Sequence, residues 1–511
     1  MRVANFALVL LSQLRISGAT EAYNLTGVED QISAYLDQNP SLEARTLGKI
    51  GCAVACGFLA FTKHGQVAYP HNPNYGYQES QYWSQQQAQT SPACHFTPES
   101  SLDVSLAVLT SRVTRCKFAV KSGGHAAYEG ASNIESGLTI NLAKINEIVV
   151  SDDKKSASIG AGNVWFDVYT HLQPMGLTAI GGRVSAIGVG GLTLGGGISF
   201  FSSRYGWACD NIISYETVLA DGSIRKVSYD SKYSDLYWAL RGGGNNFGIV
   251  TRFEAETYPQ GEMWAGAQTF LYSDETSAAL NDAFYNLGIN APEDPNAQMI
   301  LAYAYAQTQG VFVIASDLQY SKPTPFPAIF SNFTSVPGPI VDTLRITNLT
   351  DLTIEFNNTN PSGFRASLMR EMVEIYQDEV QGIKDAPGIV PSFVFQLITT
   401  DMTKHFSKNG GNPLGLANQG PLNVINIAIS WSNAADDKRI LAAARNMVNR
   451  SVSTAKKQGL DHPYLYQNYA SKEQDVFASY GEDNLARLKS IRDKYDPTHV
   501  YQKLQPGYFK L

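Results

Sequence analysis

Two glycine-rich runs constrain this chain more than anything else in it: Lys121-Ser-Gly-Gly-His125-Ala-Ala-Tyr128 and Gly188-Val-Gly-Gly-Leu-Thr-Leu-Gly-Gly-Gly197. Each follows an apolar or β-branched stretch, Cys116-Lys-Phe-Ala-Val120 in the first case, so each reads as a loop leaving a buried strand. Glycines carry no Cβ, so successive backbone N–H groups can converge on one concavity and hold phosphate or pyrophosphate oxygens without a cationic side chain. Two such loops imply one large anionic ligand. His125 follows Gly123-Gly124 directly, which puts an imidazole beside that concavity; the other reading is a capping or core histidine, and spacing alone does not choose between them. A nicotinamide-binding Rossmann unit does not fit. Neither run has the G-x-G-x-x-G pattern opening a helix, with an acidic residue about twenty positions on.

The two runs stand in order with Leu219-Ala-Asp-Gly222 and with Asp235-Leu-Tyr-Trp-Ala-Leu-Arg-Gly-Gly-Gly-Asn-Asn-Phe-Gly-Ile-Val250. Together they resemble the FAD-linked oxidases of the berberine-bridge-enzyme-like branch of the vanillyl-alcohol-oxidase superfamily, in its fungal form. The likeness runs from about Tyr82 to Tyr258 and resumes from about Tyr464. It implies an α+β fold: a two-subdomain PCMH-type FAD-binding domain, and an α+β substrate domain with a large antiparallel sheet. The expected organisation is a signal peptide at 1–19, an FAD domain at 20–258 with its core at about 88–258, a substrate domain at 259–462, and a segment at 463–511 that returns to the FAD domain.

The resemblance also implies site residues. FAD would be held by Lys121, Ser122, Gly123, Gly124, Ala126 and Tyr128, by Gly182, Val184, Ile187, Gly188, Gly191 and Gly195, and by Gly248, Ile249, Val250 and Tyr466. His125 would bond covalently to the 8α-methyl of the isoalloxazine. Many relatives add a second bond from a cysteine in a Gly-x-Cys-Pro-Thr-Val-Gly-Val-Gly-Gly pattern. Here Gly182-Arg-Val-Ser-Ala-Ile-Gly-Val-Gly-Gly191 puts Val184 at that place, so a single attachment is expected. Ile187 aligns with a position lining the path of dioxygen. Tyr466-Gln-Asn-Tyr469 resembles the family's Tyr-x-Asn-Tyr motif, which makes Tyr469 the candidate base and Asn468 a candidate donor to flavin or substrate. A phenol is too weak an acid to act as a base at neutral pH without a cation such as Lys, Arg or the flavin's own field to support the phenolate. The bland alternative for Tyr469 is a wall or core aromatic. A disulfide between Cys56 and Cys94 is implied as well.

Length and composition bound the rest. A chain of 511 residues exceeds one ordinary core, and 44% hydrophobic with 17% charged residues describes a globular protein. A net charge of −7 without any long basic block argues against nucleic acid as a partner. Arg2, the apolar run Ala4 to Leu11 and Ser17-Gly18-Ala19 resemble a secretory signal, too short to anchor in a bilayer. Glycosylation acceptors at Asn24, Asn332, Asn348, Asn357 and Asn449 agree with secretion. Five cysteines leave one unpaired if disulfides form, and Cys52-x-x-x-Cys56 without further nearby ligands is poor evidence for zinc, so no metal is expected.

Periodicity places a helix over Asp30 to Leu47, a loop over Pro70 to Gly76, an extended lead-in over Trp83 to Cys94 and a helix starting at Pro98 to Asp103. Strands follow at Phe118 to Val120, Leu138 to Leu142, Ile145 to Val150, Ser156 to Gly160 and Leu177 to Ile180, with a hairpin at Tyr215 to Val227. Beyond Pro259, aromatic-rich strands at Ile300 to Tyr305, Val311 to Ile314, Ser392 to Leu397 and Val424 to Ser430 alternate with helices at Glu275 to Leu287, Met369 to Gln377 and Lys438 to Lys457. From these strands Tyr303, Tyr305, Phe393, Phe395 and Gln396 are candidate substrate contacts, with Arg365 a weaker one. Alternation allows only one face per strand, so about half of such choices fall in ordinary core.

The reading is a monomeric FAD-dependent oxidoreductase. It removes hydride from a small secondary-metabolite-type molecule, polycyclic or aromatic, and passes electrons to dioxygen or another acceptor. The alternatives are a secreted oligosaccharide oxidase making hydrogen peroxide, a flavin-scaffolded cyclase, and a binding protein of the allergen type. A secreted location goes with the signal segment.

Overall fold

The computed structural model describes residues 23–39, 50–356 and 366–511, and their strands form three sheets. The expected signal, Asn357 and Arg365 lie outside the described residues. The first sheet holds β1 (Val67–Ala68), β2 (Cys94–Phe96), β3 (Phe118–Lys121) and β4 (Leu138–Asn141), ordered β1-β2-β4-β3, with β4 parallel to both β2 and β3. Parallel strands need cover, and β2, β3 and β4 are almost wholly buried beneath helices α1 (Leu25–Gln38), α2 (Ile50–Thr62) and α3 (Ser101–Thr114). Helix α3 starts where expected, because the Ser100 hydroxyl accepts the Asp103 amide at 3.2 Å.

The second sheet contains β5 (Ile148–Val150), β6 (Ser156–Gly160), β7 (Leu177–Ala179), β8 (Ile212–Val218), β9 (Ile224–Ser228) and β10 (Ile249–Pro259). Its order is β5-β6-β10-β8-β9 with β7 also on β10, all antiparallel. Helices α4 (Trp165–Leu172) and α5 (Val189–Leu194) flank β7 in sequence.

The third sheet is the large antiparallel one that the sequence implied. It contains β11 (Met263–Leu271), β12 (Ala297–Ala306), β13 (Val311–Tyr320), β14 (Val341–Asp342), β15 (Arg345–Thr347), β16 (Val390–Ile398) and β17 (Leu422–Ser430). The order is β14-β11-β13-β12-β16-β17, with β15 also on β11. One face, carrying Leu301, Tyr303, Ile314, Phe393 and Phe395, packs on helices α6 (Asp274–Asn290), α8 (Ala366–Gln381) and α9 (Asp437–Lys457). The opposite face, carrying Ala265, Ile300, Ala302, Val394 and Ile398, joins the core of the first two sheets. Between β15 and α8 lies helix α7 (Leu349–Phe356), and near the C-terminus lies α10 (Glu482–Tyr495). The terminal segment returns to the second sheet, where the Tyr501 hydroxyl donates to the Val218 carbonyl at 2.8 Å.

Several local expectations change. The stretch expected as loop holds a short helix, Pro73–Glu79, because Asn72 caps it and proline suits a first turn. The extended lead-in is broken by a helical turn, Gln85–Ala88, capped by Ser84. The helix expected from Asp30 begins earlier and ends at Gln38; residues 40–49 are not described. The second glycine run is not wholly loop, since Val189–Leu194 is helical. Tertiary contact overrides glycine's low propensity there.

Cys56 is joined to Cys94, as the resemblance implies, and Cys52 to Cys116, a bridge the sequence reading did not single out. Both bridges fasten α2, and Cys209 is the buried free thiol. Among the described residues no helix is long and apolar enough to cross a membrane.

Candidate active site

The two glycine runs meet. A Cβ on Gly123 would lie 2.6 Å from the backbone of Gly188, and one on Gly188 would lie 2.4 Å from the Gly123 nitrogen, so the chains touch where only glycine fits. Gly124 has φ of 72°, a conformation that L side chains rarely adopt. Ser122 locks the junction: its hydroxyl donates to the Ala161 carbonyl at 2.6 Å and accepts the Gly190 amide at 3.2 Å. Among the described residues, no protein acceptor takes the amide N–H groups of Gly123, Gly124 and His125. The loop of the first sheet and the loop of the second therefore build one backbone cradle, with free donors, of the kind an anionic cofactor needs.

His125 stands beside it. Its ring stacks on Trp83 with centroids 4.8 Å apart, and its Nε2 is buried without a partner among the described residues. Burial holds the imidazole down to about 4, so it is neutral at physiological pH and one ring nitrogen keeps a free lone pair. The Tyr128 hydroxyl is also buried and has no partner among the described residues, and its ring stacks on Tyr508. The Ala126 carbonyl accepts from Ser84 and Gln87 at 3.0 and 2.9 Å, which pins the loop. The Lys121 ammonium is engaged by the Gln78 carbonyl and the Tyr82 ring, and burial lowers it to about 8. Its side chain packs against Gly124.

On the second run, Gly182 lies against the Trp165 ring and its carbonyl accepts from Tyr169 at 2.8 Å. Val184 and Ile187 are half-buried, and Gly191 has open space where a Cβ would stand. Gly195 lies against Asn468, whose amide nitrogen donates to the Leu192 carbonyl and the Tyr466 hydroxyl at 3.0 Å each. Asn468 thus braces the glycine run. The Tyr466 hydroxyl also accepts the Ile198 amide at 3.1 Å. Gly248 packs against Thr217, and Ile249 and Val250 are buried at the start of β10.

A hydrogen-bond network converges at Tyr469. Its hydroxyl donates to Gln396 Oε1 at 3.0 Å, and Arg183 donates to both, at 2.6 Å to the tyrosine oxygen and 3.0 Å to Gln396. Three elements distant in sequence meet here: the loop after β7, strand β16 and the Tyr-x-Asn-Tyr segment. The sequence reading called for a cation near Tyr469 but did not choose Arg183, although it is the one cation in the Gly182 to Gly191 run. Gln396 Nε2, Asp317 Oδ2 and both amide atoms of Gln319 are buried without partners among the described residues. Burial raises the Asp317 carboxyl to about 7, with Glu355 adding to the shift and Arg183 opposing it.

Four expected substrate residues lie elsewhere. Tyr303, Tyr305, Phe393 and Phe395 share the helix-covered face, where the Tyr303 hydroxyl is bonded to Ser277 and Asn281 at 2.9 and 3.0 Å. Their parity along the strand is opposite to that of Gln396, and side chains alternate faces.

A family model described as an FAD binding domain matches residues 92–228. The FAD-dependent monooxygenase tpcD of Cochliobolus heterostrophus is 36% identical over 92% of this chain and 96% of its own. The chain belongs to the FAD-linked oxidoreductases of the berberine-bridge-enzyme-like type. Among solved structures, 6-hydroxy-D-nicotine oxidase of Arthrobacter nicotinovorans superposes with a TM-score of 0.73 at 19% identity, covering 86% of this chain and 96% of that one. BBE-like 1 of Physcomitrella patens gives 0.70 at 18% identity, covering 87% and 97%. The PCMH-type fold, FAD as cofactor and an oxidoreductase activity follow. The glycine cradle, the neutral His125 and the unpartnered Tyr128 hydroxyl fit that cofactor.

Proposed function

We propose that this flavoenzyme oxidises a small aromatic or polycyclic secondary metabolite, with FAD tethered through His125 alone and Tyr469 as the base. The observation that carries this reading is the Arg183–Tyr469–Gln396 triad on the sheet face turned toward the glycine cradle. FAD, when bound, supplies the hydride acceptor. The Arg183 guanidinium donates to the Tyr469 oxygen at 2.6 Å, and that oxygen is the atom that would take a proton from a substrate O–H or N–H. Gln396 fixes the phenol's direction, and its free amide is a donor for a substrate oxygen. Asn468 and Tyr466 hold the glycine run under the reacting centre.

The neutral imidazole of His125, stacked on Trp83, is the group suited to a covalent bond, and Val184 excludes a second one. That departure speaks against the doubly tethered carbohydrate oxidases. The name of the Cochliobolus relative adds oxygen transfer to the outcomes to be tested. Residues 20–258 with 463–511 serve the cofactor and 259–462 the substrate. A monomer secreted through a signal at 1–19 fits two disulfides and the exposed acceptors Asn24, Asn332 and Asn449.

The test is anaerobic mixing of the purified holoprotein with a panel of phenolic and enolic polyketides. Bleaching of the flavin, restored by air, supports the reading. Product without bleaching supports the cyclase, and bleaching by oligosaccharides alone supports the carbohydrate oxidase.

A further inference from the structure

We propose that Trp83 is the positioning residue for the flavin tether, a role that rests on reading His125 as the point of attachment: the indole holds the imidazole by one face and leaves its edge for the cofactor. The segment 82–88 grips the His125 loop on both sides. The Trp83 amide donates to the Gly124 carbonyl at 3.1 Å, and Ser84 Oγ and Gln87 Nε2 donate to the Ala126 carbonyl at 3.0 and 2.9 Å. Gln87 is itself fixed, since its Oε1 accepts from the Ser132 amide and hydroxyl at 2.8 and 3.0 Å. These bonds hold the main chain before and after His125 and leave the torsions of its side chain open. The indole closes that freedom, lying on the imidazole with ring centroids 4.8 Å apart and planes 18° from parallel.

This way of holding the ring suits a nucleophile. The lone pair of an imidazole nitrogen lies in the ring plane, so a partner on the ring face restrains the imidazole without using that pair, whereas a hydrogen-bonding side chain would occupy it. Accordingly, Nε2 is buried with no partner among the described residues. The indole is 51% exposed, and among the described residues His125 is the one ring it stacks on. Its main-chain bond to Gly124 needs only a backbone N–H, so the contact with His125 is what asks for tryptophan in particular. Attachment takes one proton from the imidazole and one from the flavin methyl, with two electrons that dioxygen accepts as it becomes hydrogen peroxide. A ring held in one orientation reaches that step faster than one free to turn.

The test separates binding of FAD from bonding to it. Wild type, Trp83→Phe and Trp83→Leu are produced in a riboflavin-starved host, supplied with FAD in air and sampled over time. Absorption gives the total flavin bound, and yellow colour in the acid-precipitated pellet gives the bonded share. All three proteins should bind FAD to the same extent and melt at the same temperature. Trp83→Phe, which keeps a ring, bonds flavin at a rate close to wild type, whereas Trp83→Leu, near phenylalanine in bulk but without the ring, is about ten- to a hundredfold slower. If Trp83→Leu does not fold, Trp83→Met takes its place. A ringless variant as fast as wild type, or Trp83→Phe as slow as the ringless one, overturns the proposal. So do ringless variants that fail to fold or to bind FAD, because Trp83 is then only a brace for the loop. Flavin that acid releases from the wild type refutes the tether itself, and the proposal with it; that control is read before any variant.

Discussion

The two faces of the third sheet are made from the same strands and differ in kind. Toward the helices, Tyr303, Phe393 and Phe395 are buried among Phe284, Tyr376 and Met372, and the one hydroxyl among the three has partners. Toward the first two sheets, Gln396, Asp317 and Gln319 are equally buried, yet each keeps at least one polar atom without a partner among the described residues. A core meets its polar groups' needs internally, whereas a binding wall leaves donors and acceptors for a ligand. Aromatic character therefore marks stability on this sheet, whereas unpaired polarity alone does not mark function, since Ser316 Oγ, in register with Leu301 on the helix side, also lacks a partner among the described residues; what sets Gln396 apart is its link to Arg183 and Tyr469.

Variants on the two faces can break that contrast. The largest effect belongs to Tyr469→Phe: the rate at which any active compound bleaches the flavin in stopped flow falls about a hundred- to ten-thousand-fold, with the melting temperature unchanged. A rate near wild type would make Tyr469 a wall residue. Phe395→Ala does the opposite, costing about 3–5 kcal/mol of stability in urea unfolding while the surviving folded enzyme keeps its rate. Tyr303→Phe removes only a hydroxyl and costs about 1 kcal/mol; a loss of turnover instead would move this tyrosine into the site.

The smallest effect is one of pH. The folded Asp317 carboxyl lies above its ordinary value, so its contribution to stability is fully present below the ordinary carboxylate range and is lost as pH rises through about 7. Asp317→Asn should flatten the decline in melting temperature between those limits by a few degrees, on the order expected for one buried group. A slope identical to wild type would show the carboxyl to be normal.

Much of this was legible in the sequence, for identifiable reasons. The glycine runs, His125 and the Tyr466 to Tyr469 motif are local, and chemistry that depends on backbone approach leaves glycine as its mark. The long strands and helices after Pro259 announce themselves by period. Strand parity was not legible: nothing in Ser392-Phe-Val-Phe-Gln-Leu397 says whether the phenylalanines or the glutamine face the cofactor side, because both sets are buried and no polar alternation separates them. Arg183 escaped notice because its partners lie 213 and 286 positions away in the chain. Cys52 with Cys116 escaped because no local pattern fixes disulfide connectivity.

The central claim is that the touching glycine runs hold FAD with His125 bonded to it, and the absorption spectrum before and after acid precipitation tests it most directly. Yellow colour should stay with the pelleted wild-type protein and move to the supernatant in His125→Ala. Flavin released from the wild type, or a protein that stays colourless when supplied with FAD, would contradict the account.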